Sequence, residues 1–158
     1  MRKKYLAFAL LGLAFMPRPA DSATATGTMN VSATVVAACT VSATPLAFGN
    51  YVGDALDGSS TITVNCGNGV AYGVELSAGS GSPTSTTRAM ASSGGDPLDY
   101  EIYTDAGRST VWAVGVGGSQ PGTGTGADQS LTAYGRIPSG QSAPAGSYTD
   151  ALTITVTY

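Results

Sequence analysis

The run Leu152-Thr153-Ile154-Thr155-Val156-Thr157-Tyr158 decides the fold class. Leu, Ile, Val and Tyr alternate there with three threonines. A period of two places successive side chains on opposite faces of a strand. Threonine suits the outer side of a half-buried pleat. Leu152, Ile154, Val156 and Tyr158 are therefore expected to bury on one face. The same alternation recurs upstream in Met29–Val35, Thr61–Cys66, Tyr72–Leu76 and Leu98–Tyr103. Clusters rich in Gly, Pro, Ser and Asp separate these runs, at 50–59, 79–85, 92–97, 115–128 and 138–147. The stretch from Gly115 to Gly124 is expected to be a mobile surface loop. No segment holds a helical period with caps. Short strands divided by turns predict an all-β sandwich or barrel.

The 158 residues suit one domain, and charged residues make up only 11% of them. The first two dozen residues read as an export signal. Arg2, Lys3 and Lys4 precede an apolar run from Tyr5 to Met16, and small residues follow. That run is too short for a transmembrane helix, which needs about 20 residues. Cleavage is expected near residue 23, within 22–25, and the product is expected to carry no integral membrane segment. Arg2, Lys3, Lys4 and Arg18 leave with the signal, so three of seven cations remain, and nine of ten acids once Asp21 is gone. The mature charge is then about −6, with no lysine. Nucleic acid, which demands a basic stripe, is excluded as a partner.

The chain has no histidine, and the mature part has no lysine to activate its many hydroxyls. No enzyme, cofactor or metal is expected. Cys39 and Cys66, the only cysteines, read as a disulfide in an exported chain. A loop of about 27 residues closed this way gains roughly 3–4 kcal/mol from chain entropy. Asp96, Asp99, Glu101 and Asp105 form the one acidic cluster, expected to be solvated. Tyr100, Tyr103 and Trp112 lie near Arg108, an arrangement open to sugar stacking or a cation–π pair, although core packing is the expected role of Trp112.

Several stretches in fixed order carry a resemblance. They are Thr26–Val35 just before Cys39-Thr40-Val41, then Leu46-Ala47-Phe48-Gly49, then Ile62-Thr63-Val64-Asn65-Cys66. Next come Leu98–Asp105 followed by Arg108, Tyr134-Gly135-Arg136-Ile137-Pro138, Ala145–Leu152 and the closing Val156-Thr157-Tyr158. In these the chain resembles the pilins of archaic (Csu-type) chaperone–usher pili, which carry the spore coat protein U domain.

The resemblance implies an immunoglobulin-like β-sandwich that is incomplete and is completed by a donor strand from a neighbouring subunit. Residues 1–23 would be the signal peptide, 24–37 the donor-strand segment and 38–158 the pilin domain. The donor face would be Gly27, Met29, Val31, Ala33 and Val35. The acceptor edge would be Leu152, Ile154, Val156 and Tyr158. Implied partners are a periplasmic pilus chaperone, an outer-membrane usher and further subunits in a homo-polymer or mixed pilus. The implied route runs through the periplasm to the cell surface, for adhesion and biofilm formation. A secreted spore- or cell-coat protein of the same fold is the alternative, with a carbohydrate-binding module using Trp112 and Tyr103 behind it.

Overall fold

The computed structural model describes residues 20–82, 84–115 and 117–158. The basic and apolar parts of the expected signal lie outside the described residues. The chain divides into two units after Thr34.

In the first unit, residues 20–34 carry no helix or strand. Their side chains are exposed, with Met29 at 85% and Val31 at 87%. The expected strand over Met29–Val35 is therefore absent from every sheet. Its alternation is plain in the sequence, but a strand persists only when a neighbour takes its backbone hydrogen bonds.

Among the described residues, the second unit, from Val35 onward, contains nine strands: β1 (Cys39–Ala43), β2 (Leu56–Cys66), β3 (Ala71–Leu76), β4 (Arg88–Ser92), β5 (Pro97–Tyr103), β6 (Gln120–Thr123), β7 (Gln129–Ile137), β8 (Tyr148–Thr149) and β9 (Ile154–Thr157). They form a six-stranded sheet, β1-β2-β7-β5-β4-β8, and a three-stranded sheet, β6-β3-β9. Every pairing is antiparallel. Alternation builds the core between the sheets. Ile62, Val64 and Cys66 of β2 turn inward, as do Leu98, Tyr100 and Ile102 of β5. From β3 come Tyr72, Val74 and Leu76, and from β7 Ala133 and Ile137. Cys39 and Cys66 are disulfide-bonded and sit directly opposite each other in the β1–β2 register.

Four expectations change. The turn expected at 50–59 ends early, because β2 begins at Leu56 and pairs with β7 from there. The loop expected at 115–124 contains β6, hydrogen-bonded to β3. Its glycine serves close packing: a Cβ on Gly122 would collide with the ring of Tyr72. Glu101 is not solvated. It pairs with Arg88, whose guanidinium lies fully inside the core. Tyr158 stands one residue past the last β9 pair, Gly73–Thr157, and is 59% exposed, so the buried face of β9 ends at Val156.

Candidate strand-acceptor groove

The edges are β1 and the two-residue β8 in the larger sheet and β6 and β9 in the smaller, and of these β1 and β9 lie near each other. Their backbones come within 8 Å at Cα but share no ladder. Hydrogen bonds at the ends of each pairing set the phase of these edges. Residues of an antiparallel strand turn N–H and C=O alternately toward and away from the partner. The Thr44 N–H donates to Thr61 O at 2.9 Å and the Gly67 N–H to Ala38 O at 3.0 Å. Thr40 and Ser42 therefore face β2, while the backbone groups of Cys39, Val41 and Ala43 face the open side. On the other edge the Ser77 N–H donates to Thr153 O at 3.0 Å. Thr155 and Thr157 thus face β3, and Ile154 and Val156 open outward.

An apolar cleft of about 380 Å³ lies between the start of β9 and residues 43–48, which lead on from the end of β1. Leu46, Phe48, Met90 and Tyr148 line it together with Leu152, Ile154 and the core residues Ile62 and Leu76. Leu152, Ile154 and Val156 are half-buried and pack on the core. Of the four acceptor residues expected from the sequence, Leu152 and Ile154 line the cleft, Val156 packs on the core outside its lining, and Tyr158 lies beyond the pairing. The opposite wall, residues 43–48, and the contribution of Met90 and Tyr148 were not legible as site residues. One local signal points to Phe48: Gly135 lies beneath its ring, and a Cβ there would approach Phe48 Cζ to 2.7 Å. Of the residues expected to form a donor face, Gly27, Met29, Val31 and Ala33 belong to the first unit and Val35 opens the second; all are exposed.

The remaining edge of the smaller sheet is treated differently. The Gly124 N–H donates to Val70 O at 2.7 Å, which turns Pro121 of β6 toward the free side. Proline has no N–H to offer an incoming strand, a common way to blunt an edge. β1 and β9 contain no proline. Strand addition is thus discouraged at β6 and left open at β1 and β9.

Polar groups anchor the floor and mouth of the cleft. The Tyr100 ring meets Phe48 edge-on at 6.0 Å. Its hydroxyl donates to Asp150 Oδ2 at 2.7 Å, and Asp150 Oδ1 accepts the N–H groups of Ser80 at 2.6 Å and Ala151 at 2.8 Å. Burial, and then the Asp150 carboxylate, push the Tyr100 phenol far above its ordinary pKa. Deeper in, Arg88 donates to the carbonyls of Ser77 at 2.9 Å, Leu76 at 3.0 Å and Trp112 at 2.7 Å, and to Glu101. Burial raises the Glu101 pKa, with the Ile102 N–H and Arg88 opposing it. The indole N–H of Trp112 donates to Val74 O at 2.8 Å and the residue is 1% exposed, so its ring is not available for sugar stacking. Arg108 stacks on no aromatic ring among the described residues. It reaches Asp57 at 3.2 Å beside the bidentate Arg136–Asp57 pair.

These features can be compared with known proteins. The chain shares 30% identity with Protein U of Myxococcus xanthus, over 89% of this chain and 88% of that protein. In fold it is similar to the crystal structure of the CsuC-CsuE chaperone-tip adhesion subunit pre-assembly complex from archaic chaperone-usher Csu pili of Acinetobacter baumannii. The TM-score is 0.61 at 22% identity, covering 79% of this chain and 40% of that one. The two facing sheets thus share the immunoglobulin-like sandwich fold of that structure. The Spore Coat Protein U domain model matches residues 25–155, and the chain belongs to that family.

Proposed function

We propose that this chain is the structural subunit of an exported chaperone–usher fibre that polymerises by donor-strand exchange. Residues 24–37 of one copy serve as the donor, and the domain at 38–158 of the next serves as the acceptor. One observation carries the reading: an apolar cleft of about 380 Å³ opens beside the unblunted edge of β9, with the end of the unblunted β1 and residues 43–48 on its other side. An alternating strand laid there supplies backbone partners to both edges and apolar side chains to the cleft. Met29, Val31 and Val35 are exposed, and burying each would stabilise the assembly by about 1.5–3 kcal/mol. Ala33 fills less of its share of the groove.

A free groove of this kind is an aggregation hazard, so the subunit needs a temporary strand during export. A periplasmic chaperone would supply it, and an outer-membrane usher would be the place of exchange on the route to the cell surface. The similarity to a chaperone–subunit complex supports these partners. Surface adhesion and biofilm formation are the roles proposed for the fibre. The family description, spore coat, favours a second reading, a self-associating coat protein built on the same groove.

The test is deletion of 26–35 in a host carrying the chaperone and usher. Microscopy is expected to find no fibres, while the shortened domain still co-purifies with the chaperone. Fibres of normal length from the deletion would overturn the donor assignment. Coat-like sheets without a need for chaperone or usher would favour the second reading.

A further inference from the structure

The Cys39–Cys66 disulfide lies where a fibre would place its load. In the donor-strand reading, on which this inference rests, each subunit is pulled between its own N-terminal segment and its acceptor groove. Tension leaves the donor segment through residues 36–38 and enters the folded domain at Cys39, the first residue of β1. That strand is a poor anchor. It has five residues, hydrogen bonds to one neighbour only, and ends beside the groove that must grip the preceding donor. Force borne by β1 would strip it from β2 and open the groove at the same time.

The covalent bond offers another path. Cys39 is joined to Cys66, the last residue of β2. β2 spans 11 residues and is paired on both sides, to β1 and along most of its length to β7. Cys66 itself is fully buried in the core. We propose that the disulfide is a load-bearing clamp: it transfers tension from the donor segment directly into β2, so that the pull on Cys39 does not peel β1 from β2. Its position at the entry residue carries the argument. A bridge at the far end of β1 would restrict the unfolded chain comparably and leave the strand in the path of the force.

The test is optical-tweezer extension of single fibres of the full chain, oxidised and after mild reduction of fibres already assembled. Thiol labelling reports whether both cysteines are free. Reduced fibres are expected to stay intact at rest, keep their subunit content, and yield at a several-fold lower force. Fibres carrying Cys39→Ser with Cys66→Ser, where they assemble, are expected to match the reduced ones. Equal yield forces before and after complete reduction would overturn the clamp while leaving strand exchange standing. Dissolution of reduced fibres at zero load would also overturn it, marking the bond as a stability element. Absence of fibres from the unmodified chain would remove the donor-strand reading, and the clamp with it.

Discussion

Arg88 shows how much one side chain can organise. Its guanidinium is fully buried and bonds to carbonyls on β3, on the Trp112 segment and to the Glu101 carboxylate. Removing one partner of a buried pair strands the other charge, at a cost of about 3–5 kcal/mol. Glu101→Ala is therefore expected to lose stability of that order in chemical denaturation, and a loss below about 1 kcal/mol would contradict the role assigned to the pair. Asp57 titrates the other way. Its hydrogen bonds to Arg136 hold its pKa below the usual 3.8. The folded form thus binds the proton less readily than the unfolded form. The stabilisation is present above pH 3.8 and is lost as pH falls through the lowered value. The melting-temperature difference between the natural chain and Asp57→Asn should shrink across that acid range. It should be small throughout, because the pair is exposed. A difference that grows on acidification would reverse the sign.

At the scale of elements, backbone phase separates the two sides of β1. The Val41 N–H faces the open groove and the Ser42 N–H faces β2. Val41→Pro removes only an edge donor, whereas Ser42→Pro removes a ladder bond within the domain. The first variant is expected to melt near the unmodified domain but to bind a peptide of residues 26–35 more weakly. Ser42→Pro is expected to lower the melting temperature itself. A larger melting loss for Val41→Pro than for Ser42→Pro would show that β1 has the opposite phase, and equal losses would overturn the distinction between its two sides. β6 illustrates why such phases escape a linear reading. Gln120–Thr123 has the composition of a loop, yet β3 recruits it, because Tyr72 needs the space that Gly122 leaves free.

For the whole molecule, charge is the property that reaches beyond the domain. Among the described residues, Arg88 pairs with Glu101, and Arg108 and Arg136 share Asp57. The other carboxylates have no ion pair there, so the surface is anionic with its cations already engaged. Fibres of this subunit should repel one another at low ionic strength. Bundling, followed by light scattering and microscopy, is expected to rise as added salt shortens the screening length toward about 8–10 Å. Bundling that is independent of salt would point to apolar lateral contacts instead.

The all-β class, the disulfide pair, the core role of Trp112 and the inward face of Leu152, Ile154 and Val156 were legible in the sequence. Each depends on local alternation or on residue type. Tertiary structure alone decided which strand edges stay unpaired. The open edge of β1, the blunting of β6 by Pro121, the buried Arg88–Glu101 pair and the cleft beside Phe48 all arise from pairings between residues far apart in the chain. Period two says which face of a strand is apolar, but it carries no information about which neighbour, if any, will take its backbone hydrogen bonds.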